Sequence, residues 1–320
     1  TNVVSIGTFW YANSTTSPSV ISNASDGMVV NVAVFEDGLR TASLARQNGV
    51  IHVDLRAPIY DADGNEWHLR KIGTTFKGCY TLESVLLPDT VKFIDDGAFV
   101  DARGVKTVQL PTGLESIGLQ AFYNLSNLKT VFPLLPEAVT NLSQDCFDGC
   151  RSLTGDVRLV NRELKGVLPY QLFRSTKVTS LDLSGSSVTS ISQWAFEGTP
   201  LTNVVLGACV CDLNSKAFQS ASNIRKVTVK GDVFEGLGDA FYTYVASLGL
   251  LYEVNYTEAT RDYLRTNCTV VPLTAKERAA YAAAYPGERP CRRKVKLPSP
   301  AGKWRYLIFS NGPGFSLIVK

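Results

Sequence analysis

Phenylalanine returns through the middle of this sequence at an almost fixed interval. It stands at positions 76, 99, 122, 147, 173, 196, 218 and 241. The steps are 23, 23, 25, 26, 23, 22 and 23 residues. A fixed period of roughly 20 to 29 residues marks a solenoid, in which each repeat is one supersecondary unit. Whatever else the chain does, this stretch must stack on itself.

The positions around each phenylalanine repeat as well. An L-x-x-V-x-L phrase follows it: LESVLL from 82, VKTVQL from 105, LKTVFP from 128, VTSLDL from 178, LTNVVL from 201 and IRKVTV from 224. The copy at 153, LTGDVRL, carries an extra residue. A second apolar pair precedes the next phenylalanine: Val91 and Ile94, Leu114 and Ile117, Val139 and Leu142, Val188 and Ile191, Val210 and Leu213. Alternation in V-x-L puts the two apolar residues on one face of a short strand. Such a strand cannot bury that face alone. Stacked at about 4.8 Å, successive copies pair their backbones and share one core. Phenylalanine, once per turn, then forms an internal ladder. The predicted fold is an α+β repeat protein dominated by β: a solenoid of about seven turns of 22–26 residues.

The run FKGCYTLESVLLPDTVKFIDDGAF, 76–99, resembles the BspA-like class of leucine-rich repeats, and CFDGCRSLTG, 146–155, keeps its GC element. The resemblance covers about 72–245. It implies a leucine-rich-repeat solenoid, a secreted or surface location, and a link to adhesion. It supplies no catalytic motif. Cys79 and Cys150 share one repeat position, three residues after phenylalanine, with Ala102 and Leu125. That slot faces the core, so buried free thiols are expected there. Cys209 and Cys211 flank Val210 and should point outward. Cys268 and Cys291 lie outside the repeat, and their pairing is left open by the sequence.

Solenoids must cover their open apolar ends. Residues 46–71 read as a β-hairpin cap, with GVIHVDLRAPIYDADGNEWHLRKIG alternating on both sides of Asp63-Gly64. Residues 1–45 read as a β-rich segment or arm whose apolar start, TNVVSIGTFWYAN, docks on its own cap or on a neighbour's sheet edge. Residues 246–320 read as a basic cap. TEATRDYLRTN and TAKERAAYAAAYPG are helices, and KWRYLIF and FSLIVK form a closing hairpin. This cap carries 12 Lys+Arg against 5 Asp+Glu, although the whole chain is only +3. Its basic run places Arg289, Arg292, Arg293, Lys294 and Lys296 together as a candidate anion site.

Catalytic constellations are missing. There is no G-x-S-x-G, P-loop or H-E-x-x-H, and His52 and His68 are the only histidines. Asp95 and Asp96 are the obvious carboxylate pair, but they sit in a turn where aspartate favours its own backbone. No metal and no cofactor is expected, since seven cysteines carry no zinc spacing. No apolar run reaches the roughly 18 residues a membrane helix needs. The secreted reading takes a signal peptide to have been removed before Thr1.

Residues flanking the central valine of each strand point away from the core. They give a second row of Leu86, Gln109, Phe132, Arg158, Asp182, Val205 and Thr228, with Asp156 beside it in the first row. A concave sheet of this kind is where solenoids bind partners. The row lacks a run of aromatics, so a protein partner on a host or neighbouring cell is expected, with no specific nucleic acid. The alternative is a structural protein that assembles through its N-terminal β arm; a carbohydrate-active enzyme is the remote third reading.

Overall fold

The structure, a computed structural model, describes residues 9–10, 20–22, 29–35, 38–46, 52–60, 64–132, 135–231, 237–241, 250–255, 257–297 and 304–310. The chain divides into two compact units. One is Thr1–Gly155 with Pro169–Lys177; the other is Asp156–Leu168 with Val178–Lys320.

In the first unit each turn contributes two strands and a loop. The L-x-x-V-x-L phrases give Ser84–Leu86, Thr107–Gln109 and Thr130–Phe132, paired in parallel and in register, Val85 beside Val108 beside Val131. Val85 and Val108 are buried, as alternation requires. The second apolar pair forms the short strands Phe93–Ile94, Ser116–Ile117 and Asn141–Leu142, also parallel. Between them the phenylalanines stack. Phe76, Phe99, Phe122, Phe147 and Phe173 have ring centroids 5.1, 5.1, 5.1 and 5.2 Å apart, tilted by at most 15°. None exposes surface.

The backbone around each ring stacks too. The amide of Phe99 donates to Ala121 O, that of Phe122 to Cys146 O and that of Phe147 to Leu172 O, at 2.8, 2.9 and 3.1 Å. In most turns two positions adopt the left-handed conformation, two residues before and two residues after phenylalanine. The later position holds Gly78, Asp101, Asn124, Gly149, Ser175, Gly198 and Ser220 along the chain. A positive φ there turns the amide toward the next coil: Asn124 N reaches Asp148 O at 2.8 Å. Glycine, Asn and Asp recur because they tolerate this region best.

The expected hairpin cap forms where Ile59–Tyr60 pairs antiparallel with Glu66–Trp67. His52–Asp54 pairs in parallel with Ser84–Leu86 and begins the repeat sheet, because Val53 and Leu55 reproduce V-x-L. Leu69–Ile72 pairs in parallel with Phe93–Ile94 and with Gly38–Arg46. Residues Val20–Ser22, Val29–Phe35 and Gly38–Arg46 continue this sheet as an antiparallel meander, and Phe9–Trp10 closes it against Ile59–Tyr60. The turn at Asp63 lies outside the described residues.

The second unit repeats the plan. Thr154–Arg158, Lys177–Asp182, Asn203–Leu206, Lys226–Val229 and Leu251–Val254 follow one another in one sheet. Phe196, Phe218 and Phe241 stack at 5.5 and 4.5 Å. The sheet is then continued by Trp304–Phe309, Arg293–Lys296 and Thr269–Pro272. Both cap helices form, Glu258–Asn267 and Ala275–Ala284. The second starts with a full capping box, Thr274 and Glu277 exchanging side-chain and backbone bonds. Trp304–Phe309 pairs with Leu251–Val254 and Arg293–Lys296; its expected partner FSLIVK lies outside the described residues.

All seven thiols are free. Cys79 and Cys150 are buried in the slot three residues after phenylalanine, and Cys209 and Cys211 are exposed. Burial pushes the Cys79, Cys146 and Cys150 thiols up, which keeps them protonated and inert. Cys268 and Cys291 do not pair.

Candidate partner-binding face

The outward rows of the repeat sheet are built strand by strand. In the first unit, His52, Ser84 and Thr107 line up, and beside them Asp54, Leu86 and Gln109; the backbone of Thr130–Phe132 continues the register. Leu86 is half-buried and Gln109 exposed. The side chain of Phe132 lies outside the described residues. His52 Nδ1 is 2.7 Å from Ser84 Oγ, so this histidine serves the sheet face. Arg56 binds Asp54 through two guanidinium hydrogen bonds of 2.9 and 2.7 Å, which hold the Asp54 carboxyl below the usual range.

In the second unit the rows carry charge. Asp156 accepts hydrogen bonds from Ser180 Oγ at 2.6 Å and Thr179 Oγ1 at 2.9 Å, and these bonds lower its pKa. Arg158 is 73% exposed and its Nε lies 3.9 Å from Asp182, a loose pair. Asp182 also accepts from the Ser184 amide at 2.8 Å. Val205 is half-buried and Asn203 exposed.

The far end of this row is occupied by the chain itself. Lys226 Nζ sits 2.9 Å from Glu253 and 2.7 Å from Glu288, and Thr228 Oγ1 donates to Glu253 at 3.4 Å. Beyond them Leu251, Tyr306 and Ile308 are covered by Tyr281 and Tyr285 of the cap helix and its end. Tyr285 Oη donates to Arg225 O at 2.9 Å, which ties this roof to the sheet. Thr228 therefore borders the cap, while Asp156, Arg158, Asp182 and Val205 lie clear of these contacts. Sequence reasoning missed the roof because its contacts span about sixty residues, as in Tyr285 to Arg225.

Within the basic run the residues of strand Arg293–Lys296 alternate in direction: Val295 is buried, and Arg293 shares its side, whereas Lys294 and Lys296 face the other way. Lys294 is bound to Glu277 at 2.6 Å and lies 5.0 Å over the Trp304 ring. Arg289 donates to Ser310 O at 2.7 Å; Arg292 and Lys296 are exposed.

The candidate carboxylate pair is structural. Asp95 bridges Arg40 and Lys71, each at 2.7 Å, and Asp96 accepts from the Leu119 amide at 2.7 Å. Among the described residues no group of three or more His, Cys, Asp or Glu could hold a metal ion. No described helix is long and apolar enough to cross a membrane.

A second concavity was not foreseen. A cleft of about 350 Å³ opens in the first unit between the loop after His52–Asp54, the strands around Trp67 and the loop Leu87–Thr90, with Gln109 at its rim. The one signal in the sequence was Trp67, a large aromatic in a polar hairpin.

Stacked turns of this register, with paired short strands and an internal phenylalanine ladder, define a leucine-rich-repeat protein. The sequence matches the BspA type leucine-rich repeat region in six copies, over residues 69–161 and 166–264. The chain belongs to that family. Among solved structures it is similar to a leucine-rich cell surface protein from Faecalibacterium prausnitzii A2-165, with 24% identity and a TM-score of 0.54. That match covers 68% of this chain and 56% of the other, so the chain spans little more than half of that relative's length. It is also similar to a leucine-rich repeat protein from Bacteroides ovatus ATCC 8483, with 16% identity, 74% and 79% coverage and a TM-score of 0.39. No curated protein matches.

Proposed function

We propose that this chain is a non-catalytic binding module, secreted or displayed at the cell surface, that engages a protein partner through the outward face of its repeat sheet. One observation carries the reading. In the second unit the chain roofs its own sheet from Lys226 onward and leaves Asp156, Arg158, Asp182 and Val205 clear of that roof. A face so polar needs no cover for stability, and charges held by neighbours, as Asp156 is, present a fixed pattern. The test is pull-down from cell-surface and matrix proteins with wild type and with Arg158→Glu and Asp182→Lys. Capture that the reversals abolish supports the face. Capture indifferent to both reversals places the partner elsewhere. The assembly alternative has less behind it: Phe9–Trp10, within the expected arm, pairs with strands of its own chain.

A further inference from the structure

The cleft in the first unit has the size and lining of a small-ligand site. At about 350 Å³ it falls at the low end of ligand pockets, which run from roughly 300 to 1,000 Å³. It has room for one or two pyranose rings and excludes a folded partner. Its walls are of two kinds. The exposed Pro58 and the half-buried Trp67, backed by the buried Leu55 and Leu87, give an apolar, partly aromatic surface. Asp89 and Gln109, both exposed, give planar polar groups at the mouth.

Charge narrows the ligand. The cationic Arg56 in the lining is already bound by both carboxylate oxygens of Asp54. Glu66 and Asp89 add two carboxylates with no further lysine or arginine in the lining. An anion would meet net negative charge. A lone cation on exposed carboxylates gains little against water and leaves the apolar wall unused. A neutral polyhydroxyl ring uses both: its C–H face against Trp67, its hydroxyls on the Asp89 carboxylate and the Gln109 amide. Trp67 is positioned for this by backbone pairing with Ile59, and the loop opposite by Thr90 Oγ1 donating to Leu69 O at 2.7 Å.

We propose that this cleft binds a neutral saccharide of one or two rings; it shares Gln109 with the outward row of the first unit and includes none of Asp156, Arg158, Asp182 and Val205. The experiment is NMR titration of the full-length, nitrogen-labelled chain with methyl glucoside, lactose and N,N′-diacetylchitobiose, following the tryptophan indole N–H signals, of which there are four. Trp67→Phe assigns the signal. The expected result is a saturable shift of the Trp67 indole with at least one of these sugars. Asp89→Ala should weaken it about tenfold, the scale of one lost hydrogen bond to a charged group. Gln109→Ala, at an exposed site, checks that a fold defect in the other variants is not the cause. Arg158→Glu should leave the titration unchanged, so loss of the partner face and loss of this site are told apart. The proposal is overturned if none of the sugars shifts the indole, if Asp89→Ala and Gln109→Ala both bind as wild type, or if only glucuronate or trilysine binds.

Discussion

At the residue scale the repeat is a set of slots with different demands. The phenylalanine slot demands volume: Phe122 is fully buried between rings at 5.1 Å on both sides. Phe122→Ala should cost about 3–5 kcal/mol in urea unfolding, by lost transfer energy plus a cavity that stacked neighbours cannot close. The left-handed slot demands backbone freedom. Ser175 holds φ 60° where other turns carry Gly78, Gly149 and Gly198. Ser175→Gly should therefore stabilise by about 0.5–1 kcal/mol, since a left-handed non-glycine residue costs roughly 1–2 kcal/mol and glycine returns part of that as chain entropy. A destabilised variant would mean the hydroxyl matters more than the φ. On the outward row, Ser180 and Thr179 hold Asp156 below its ordinary pKa. In Ser180→Ala the Asp156 titration midpoint, read by carbon NMR, should rise toward the ordinary value. The sign for stability follows. A depressed folded pKa contributes stability above the unfolded value of about 3.9, lost as pH falls through the folded pKa.

At the element scale, successive turns of the first unit are locked by a buried polar ladder beside the phenylalanines. Arg174 donates two hydrogen bonds to Asp148, at 2.9 and 2.7 Å, and the Asp148 side chain is only 3% exposed. Gln171 turns its amide so that its NH2 donates to Asp145 and its carbonyl accepts from Arg174. Arg174→Ala should destabilise by about 3–5 kcal/mol, because it strands a buried carboxylate. Adding Asp148→Ala should recover part of that loss; simple additivity in the double variant would show the two side chains to be uncoupled. Asp145 and Gln171 each stand two residues before phenylalanine, and Asp148 and Arg174 one residue after, but nothing in that spacing says that they pair. The residues involved, Asp145, Asp148, Gln171 and Arg174, read as ordinary loop polars, and only stacking two turns together brings them into contact. The helix caps are the opposite case: Thr274 and Glu277 are legible because a capping box is local.

At the scale of the molecule, a stack of repeats transmits stability mainly between neighbours. Tyr285→Ala removes the roof's bond to Arg225 and its packing on Tyr306. Hydrogen exchange should accelerate in Lys226–Val229 and Leu251–Val254 and leave the amides of Phe99 and Phe122 as protected as in wild type. Uniform acceleration along the chain would indicate one cooperative fold instead. The same roof decides how much of the sheet's outward face the chain covers itself.

What the sequence determined by itself was everything set within one turn: the period, the strands, the buried valines and phenylalanines, the core-facing Cys79 and Cys150, the outward Cys209 and Cys211, and both cap helices. Alternation and spacing report which side chains must leave water, and that is a local quantity. The tertiary structure alone decided that His52–Asp54 joins the repeat sheet, that Asp95 and Asp96 hold turns together, that the basic run divides across two sides of a strand, and that the cap closes over Lys226. Each of these depends on which distant segment supplies the partner group. Burial can be read from a pattern, but the identity of what does the burying is fixed only when the chain folds back on itself.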